Sequence, residues 1–208
     1  AHSTLLRDGL DQKVLLQAAT SQSFEVDAGA TTLLVESDSV YPGSTLQRLV
    51  HTTPNGRFMD IFGVSESESH VWDYVLHGEG TASINVPLTS VSDVGFGGTY
   101  NFLKDAKGGC ANGDIIVTFT NKSGKSHTLR VFGEAGTTVI LADAPGFPSN
   151  KRHPVLIIRR EGPNPVFASV VTEGDDLPFG MTATIDTVAR ALTFQEPEAD
   201  DPVTLSLQ

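Results

Sequence analysis

Residues 57–80, RFMDIFGVSESESHVWDYVLHGEG, decide how the rest of the chain is read. The stretch holds the only tryptophan, Trp72, with Tyr74, His70 and His77. It also sets Asp60 and Asp73 inside otherwise apolar runs, where an unpartnered carboxylate would be costly. Two runs rich in β-formers, 57–65 and 70–77, flank the polar loop 66–68 and stop at Gly78.

Just upstream, residues 44–53 (STLQRLVHTT) run into Pro54-Asn55-Gly56. Asn-Gly between two β runs is a strong hairpin signal, because a type I′ turn needs positive φ at both central positions. The three runs predict an antiparallel meander over 44–77. A two-residue loop at Asn55-Gly56 would set His51 opposite Asp60. A three-residue loop at 66–68 would set Asp60 opposite Tyr74. Directly opposite residues share a face. His51, Asp60 and Tyr74 would then form one polar row between apolar rows that hold Phe62 with Trp72 and Phe58 with Leu76. A carboxylate can fix an imidazole tautomer, and a tyrosine can act as acid or base. The three groups can equally satisfy one another as a structural polar network, and that is the expected reading.

Around this centre the chain is a series of short β runs. Residues 2–8, 22–27 and 31–37 are strand candidates upstream, and 10–19 fits a short amphipathic helix about as well as a strand. Downstream candidates are 81–86, 114–120, 127–133, 137–142, 154–160, 165–172, 181–186, 190–195 and 202–207. Residues 121–125 read as a hairpin turn. The Gly- and Ser-rich link 88–113 reads as an ordered excursion over the sandwich. The fold expected is all-β: an antiparallel, super-β-sandwich-like domain spanning 1–208 as a single unit.

Composition narrows the function. The chain has 208 residues, 20 of them Gly, with 25 acidic and 14 basic residues and a formal net charge of −11. Such a surface repels nucleic acid and anionic lipid, so neither is an expected partner. A polyanion would need a local basic patch, and residues 145–154, with Lys151, Arg152 and His153, are a basic loop on this acidic chain. No apolar run approaches the roughly 20 residues a membrane span requires. No signal peptide is visible, and the start at AHSTLLRDG reads as a processed or excised piece.

Other chemistry-bearing residues have plainer readings. On a strand, His70 points away from Asp73 and His77, while Asp73 and His77 sit roughly 13 Å apart at strand rise, too far to share one zinc. His77 is expected to bond a backbone carbonyl or to be solvated beside Arg57. Cys110 has no neighbouring base and is expected to be a buried, inert thiol. Of Arg159 and Arg160, one is expected inward or paired and the other solvated. Asn121-Lys122-Ser123 fits an N-glycosylation sequon.

Three pieces together resemble the C-terminal β-sandwich of the heparinase II/III-like polysaccharide lyases, which include alginate and heparin/heparan lyases. They are Ala1-His2-Ser3-Thr4-Leu5-Leu6-Arg7-Asp8-Gly9 with Gln12, the block 57–80, and residues 154–172, PVLIIRREGPNPVFASVVT. The resemblance implies an N-terminal α/α toroid as partner domain within the same protein and an anionic, uronate-containing polysaccharide as substrate. Cleavage would be by β-elimination, with catalytic Tyr and His residues mainly on the toroid. None of the catalytic set would be complete in this chain, and the isolated 208 residues would be inactive. The resemblance also implies a structural zinc with His2 as one ligand and the others upstream, and a periplasmic or secreted location. Ser3 stands where that family carries Asn. The alternative is a non-catalytic carbohydrate-binding or structural interaction sandwich, which an exposed Trp72 platform would favour.

Overall fold

A computed structural model describes residues 3–12, 19–146, 151–174, 182–195 and 201–207. Seventeen strands are present among them: β1 (Thr4–Arg7), β2 (Thr20–Asp27), β3 (Ala30–Ser37), β4 (Thr45–Thr52), β5 (Phe58–Ser65), β6 (His70–His77), β7 (Thr81–Ile84), β8 (Thr89–Ser90), β9 (Lys104–Ala111), β10 (Ile115–Thr120), β11 (Ser126–Val131), β12 (Thr137–Pro145), β13 (Arg152–Gly162), β14 (Val166–Glu173), β15 (Thr182–Asp186), β16 (Ala191–Gln195) and β17 (Val203–Ser206). A single 3-10 helix, Gly98–Phe102, accompanies them. Of the 10–19 segment, residues 13–18 lie outside the described residues.

The strands form three antiparallel sheets, and the expected β-sandwich is what they build. One sheet has eight strands in the order β2-β3-β4-β5-β14-β11-β10-β7, one has six in the order β1-β6-β13-β12-β9-β8, and a small one is β15-β16-β17. Three apolar layers hold them together. Between the two large sheets lie Leu46, Phe62, Val64 and Phe167 from one side and Leu5, Trp72, Tyr74, Leu156 and Ile158 from the other. Behind the eight-stranded sheet, Leu49, Met59 and Ile61 pack on Leu192, Phe194 and Leu205 of the small sheet. Behind the six-stranded sheet, Val75, Val155 and Ile157 are covered by Val94 and Tyr100. Central strands are therefore buried on both faces, which is why Pro154-Val155-Leu156-Ile157-Ile158 is continuously apolar instead of alternating. Each such fully buried aliphatic side chain is worth roughly 1.5–3 kcal/mol.

Two features of the central strands depart from the sequence reading. The first is the third strand of the meander. β5 pairs with β14 and β6 pairs with β1 and β13, so the loop 66–69 carries the chain from one large sheet to the other. Phe58, Asp60 and Phe62 still face Trp72, Tyr74 and Leu76, but across the sandwich and not along one sheet. The rings of Phe62 and Tyr74 meet edge-on at 6.4 Å. The loop between β13 and β14 also crosses from sheet to sheet at the same end, where the Asn164 side-chain oxygen accepts the backbone N–H of Glu66.

The second is the β4–β5 register. Val50, not His51, stands opposite Asp60, and His51 stands opposite Met59. The turn explains the shift. Gly56 N donates to Thr53 O at 3.0 Å, Thr53 N donates to Arg57 O at 2.9 Å, and Gly56 has φ +77. This is a three-residue loop with Pro54 as the first central residue of a type I turn and Gly56 in the left-handed position. Proline's fixed φ suits that position. A slip of one residue exchanges the faces of β4. Arg48 therefore points into the core, and His51 points out toward the small sheet.

The 88–113 link does cover the sandwich, but its second half is strand β9. Its glycines hid it, since glycine weakens a strand. They are needed: a Cβ on Gly109 would lie 2.4 Å from the carbonyl oxygen of Pro87.

Candidate functional site: a groove at one end of the sandwich

The starts of β1, β5, β11 and β13 and the ends of β4, β6, β10 and β12 converge on one end of the sandwich. Three clefts adjoin there. One of about 730 Å³ is lined by Thr4, Gln12, Arg48, His77, Tyr100 and Pro145, among others. A second, about 430 Å³, enters between the large sheets over Asp60, Tyr74, His127 and Ser169. Both include Ser3, Arg48 and His77. A third, about 500 Å³, shares Glu79 and Asn121 with the second and adds Lys122, Lys151, Arg152 and His153.

The polar floor of the groove is built on three neighbouring strands of the eight-stranded sheet and one facing strand. Arg48 of β4 forks onto Asp60 of β5, with Nε to Oδ1 at 2.8 Å and the second nitrogen to Oδ2 at 2.8 Å. Tyr74 of β6 donates its hydroxyl to Asp60 Oδ2 at 2.6 Å and lies 3.2 Å from the Ser169 hydroxyl of β14. Asp60 is 2% exposed and Tyr74 0%. Burial first, then the charge of Asp60, raises the Tyr74 phenol well above its ordinary value. Burial alone would lower Arg48, but the fork to Asp60 outweighs it and holds the guanidinium above its ordinary value. Tyr74 is thus locked as a hydrogen-bond donor, and the cluster is not built to abstract a proton. It fixes Arg48, whose side chain keeps 29% exposure, at the junction of the first two clefts.

Of the sequence-derived network, the structure brings Asp60 and Tyr74 together and leaves His51 out. His51 Nδ1 is 2.8 Å from the Thr32 hydroxyl, and its ring packs 5.7 Å from that of Phe194, on the opposite face of the sheet. Arg48 and Ser169 take its place. Their signal was the period of two in Leu46, Arg48 and Val50, which puts an arginine on an apolar face.

Asp73 has a second set of partners of the same kinds. Arg159 forks onto it at 2.7 and 2.8 Å, and the Tyr100 hydroxyl donates at 2.5 Å. Burial and the Asp73 charge raise Tyr100 above its ordinary value. His70 meets Asp8 at 2.6 Å and Glu66 at 3.3 Å, at the far end of β6. Neither arginine of the 159–160 pair is solvated: Arg160 is 5% exposed and donates to Thr137 and to the carbonyls of Phe132 and Val166. Cys110 is exposed, not buried, because it lies on the glycine-rich strand β9. Trp72 is fully buried and edge-on to Tyr41 at 5.8 Å, so it offers no sugar platform.

His2 lies outside the described residues. Among the described residues, no group of three or more His, Cys, Asp or Glu side chains is placed to hold a metal ion. The zinc implied by the resemblance thus finds no ligand set there. No helix among them is long and apolar enough to cross a membrane.

No family profile and no curated protein sequence matches the chain. Solved structures do. Heparan sulfate lyase HepC from Pedobacter heparinus superimposes over 100% of this chain with a TM-score of 0.66 at 16% identity. The chain has the fold of a heparinase-type lyase sandwich. Heparinase III superimposes over 99% with a TM-score of 0.66 at 12% identity, and the heparinase III BT4657 gene product over 99% with 0.64 at 13%. The lyase-type sandwich described here spans 29–30% of the length of those proteins.

Proposed function

We propose that this chain is the β-sandwich part of a polysaccharide lyase that cleaves uronate-containing glycans by β-elimination. The observation that carries the reading is the fold likeness over the whole chain, which a lone groove or a lone motif would not provide. In this reading the strand-end groove forms one wall of the sugar cleft. Arg48, His77 and Asn121 line it with polar groups suited to carboxylate and hydroxyl groups. The proton abstraction at C5 and the departure of the 4-O-linked sugar would be served by residues outside this chain, on a toroid-like partner domain of the same protein. Tyr74 does not fit the base, since its proton is held by Asp60. A structural zinc with His2 as a ligand stays within this proposal, and no step depends on it. Heparan sulfate, related glycosaminoglycans and alginate are the substrate candidates, and the periplasm or the cell exterior is the location where such a chain would meet them.

The test is direct. The full-length protein, incubated with heparan sulfate, heparin or alginate, is expected to release unsaturated uronates, read by their ultraviolet absorbance. The isolated 208 residues are expected to release none. Absence of that absorbance from the full-length protein on every uronate glycan would sink the reading.

A further inference from the structure

We infer that the basic cleft at the outer end of the groove is an anion-binding exosite, which takes the sulfate or carboxylate groups of an acidic glycan away from the reacting bond. The inference rests on the polysaccharide reading above for its ligand class, and on the following placement for its site. The chain carries 25 acidic against 14 basic residues, so cations brought together need a reason. Arg7, Arg48, Arg130, Arg159 and Arg160 are each paired with a carboxylate. Lys122, Lys151 and Arg152 have no such pairing among the described residues, and they converge on one concavity of about 500 Å³ with His153. Among the described residues, Glu79 is the one carboxylate lining it, against three permanent cations.

The cleft is also pre-shaped. Arg152 donates to the carbonyl oxygens of Phe102 and Asp143, which hold the guanidinium in place without neutralising its charge. Lys122 rides on a stiff turn between β10 and β11. There the Asn121 side-chain oxygen accepts from Ser123 N at 2.9 Å, Ser123 Oγ at 2.7 Å and Lys125 N at 3.0 Å. His153 packs against Gly146, where a Cβ would lie 2.0 Å from its ring. A guanidinium held as Arg152 is loses little freedom on meeting an anion, which favours binding. The cleft adjoins the middle of the groove at Glu79 and Asn121, which line both, within reach of one extended chain.

The experiment uses the full-length protein with lysines 122 and 151 reversed together (K122E with K151E). A charge-matched control carries K104E with K107E, two exposed lysines on β9. Binding of size-defined heparin oligosaccharides is measured by calorimetry against salt concentration. The groove variant is expected to bind about tenfold or more weakly, with a shallower salt dependence, while the control changes less than about twofold. An unsulfated uronate oligomer run in parallel names the ligand group. Weakening for both oligomers assigns carboxylate, and weakening for the sulfated one alone assigns sulfate. Equal affinity of the groove variant and the control, with both folded by their melting transitions, overturns the exosite. Release of unsaturated uronates is followed in the same samples. If the lyase reading fails, no sample makes product, whatever the binding. If only the exosite fails, product forms and the groove variant matches the control.

Discussion

Asp60 and Asp73 sit on neighbouring layers of the same sandwich and have the same partners in kind: one arginine fork and one tyrosine hydroxyl. They differ in what lies beyond. Asp60 ties the two large sheets together at the floor of an open groove, and its arginine reaches water. Asp73 ties the 3-10 helix and its flanking chain to the back of the six-stranded sheet. Arg159, at 18% side-chain exposure, is also spent on the carbonyl of Val94. The same charged trio thus serves as a wall in one place and as a staple in the other. A buried ion pair is weak evidence for stability in itself, but removing one partner from it is expensive.

That contrast can be broken by mutation. Asp73→Ala strands Arg159 and Tyr100 with little water to replace the carboxylate and should cost about 3–5 kcal/mol in denaturant unfolding. Asp60→Ala should cost less, about 2–3 kcal/mol, because Arg48 can turn to the solvent of the groove. Equal losses would erase the distinction between wall and staple. Tyr100→Phe and Tyr74→Phe each remove one donor and leave the arginine fork, and about 1–2 kcal/mol is expected from either. The smallest effect, under about 0.5 kcal/mol, is expected for Cys110→Ser, which touches neither trio.

Alkaline titration sharpens the comparison. Tyr41, Tyr74 and Tyr100 are the chain's only tyrosines, and all three are buried. Burial is the main cause in each, and it raises Tyr41 to about 12. In the unfolded chain each phenol titrates near about 10. The native state keeps protons that the unfolded state gives up, so stability is full below about pH 10 and falls as pH rises toward the native values. Tyrosinate absorbance should show no step near pH 10 while the protein stays folded. A step there without unfolding would mean that Tyr41 or one of the trios opens freely to water.

The sequence carried much of this. Every downstream strand candidate from 81–86 onward has its counterpart, because apolar runs bounded by Gly, Pro and Asn are local signals. The partners of those strands were not local. Phe62 and Trp72 face the same core whether β5 and β6 form a hairpin or cross between sheets, so the alternation of residues cannot separate the two. The His51 assignment failed on a single turn, where Pro54 claimed a central position that Asn-Gly alone would have filled. Arg48 and Tyr100, which complete the two trios, lie 12 and 27 residues from their aspartates. Nothing in their own neighbourhoods announces the pairing. The basic loop at 151–153 was visible by composition, but its meeting with Lys122 needed the fold.

The double crossing of the chain between sheets also governs how the protein is made. β5 lies between β4 and the distant β14, and β6 lies between β1 and the distant β13. Pairings so far apart in sequence are slow to form. On the ribosome, residues 58–77 can pair on one side with β4 and β1, but their other edges stay uncovered until residues 152–173 have been synthesised. The first half of the chain is therefore the part a chaperone would have to shield during synthesis.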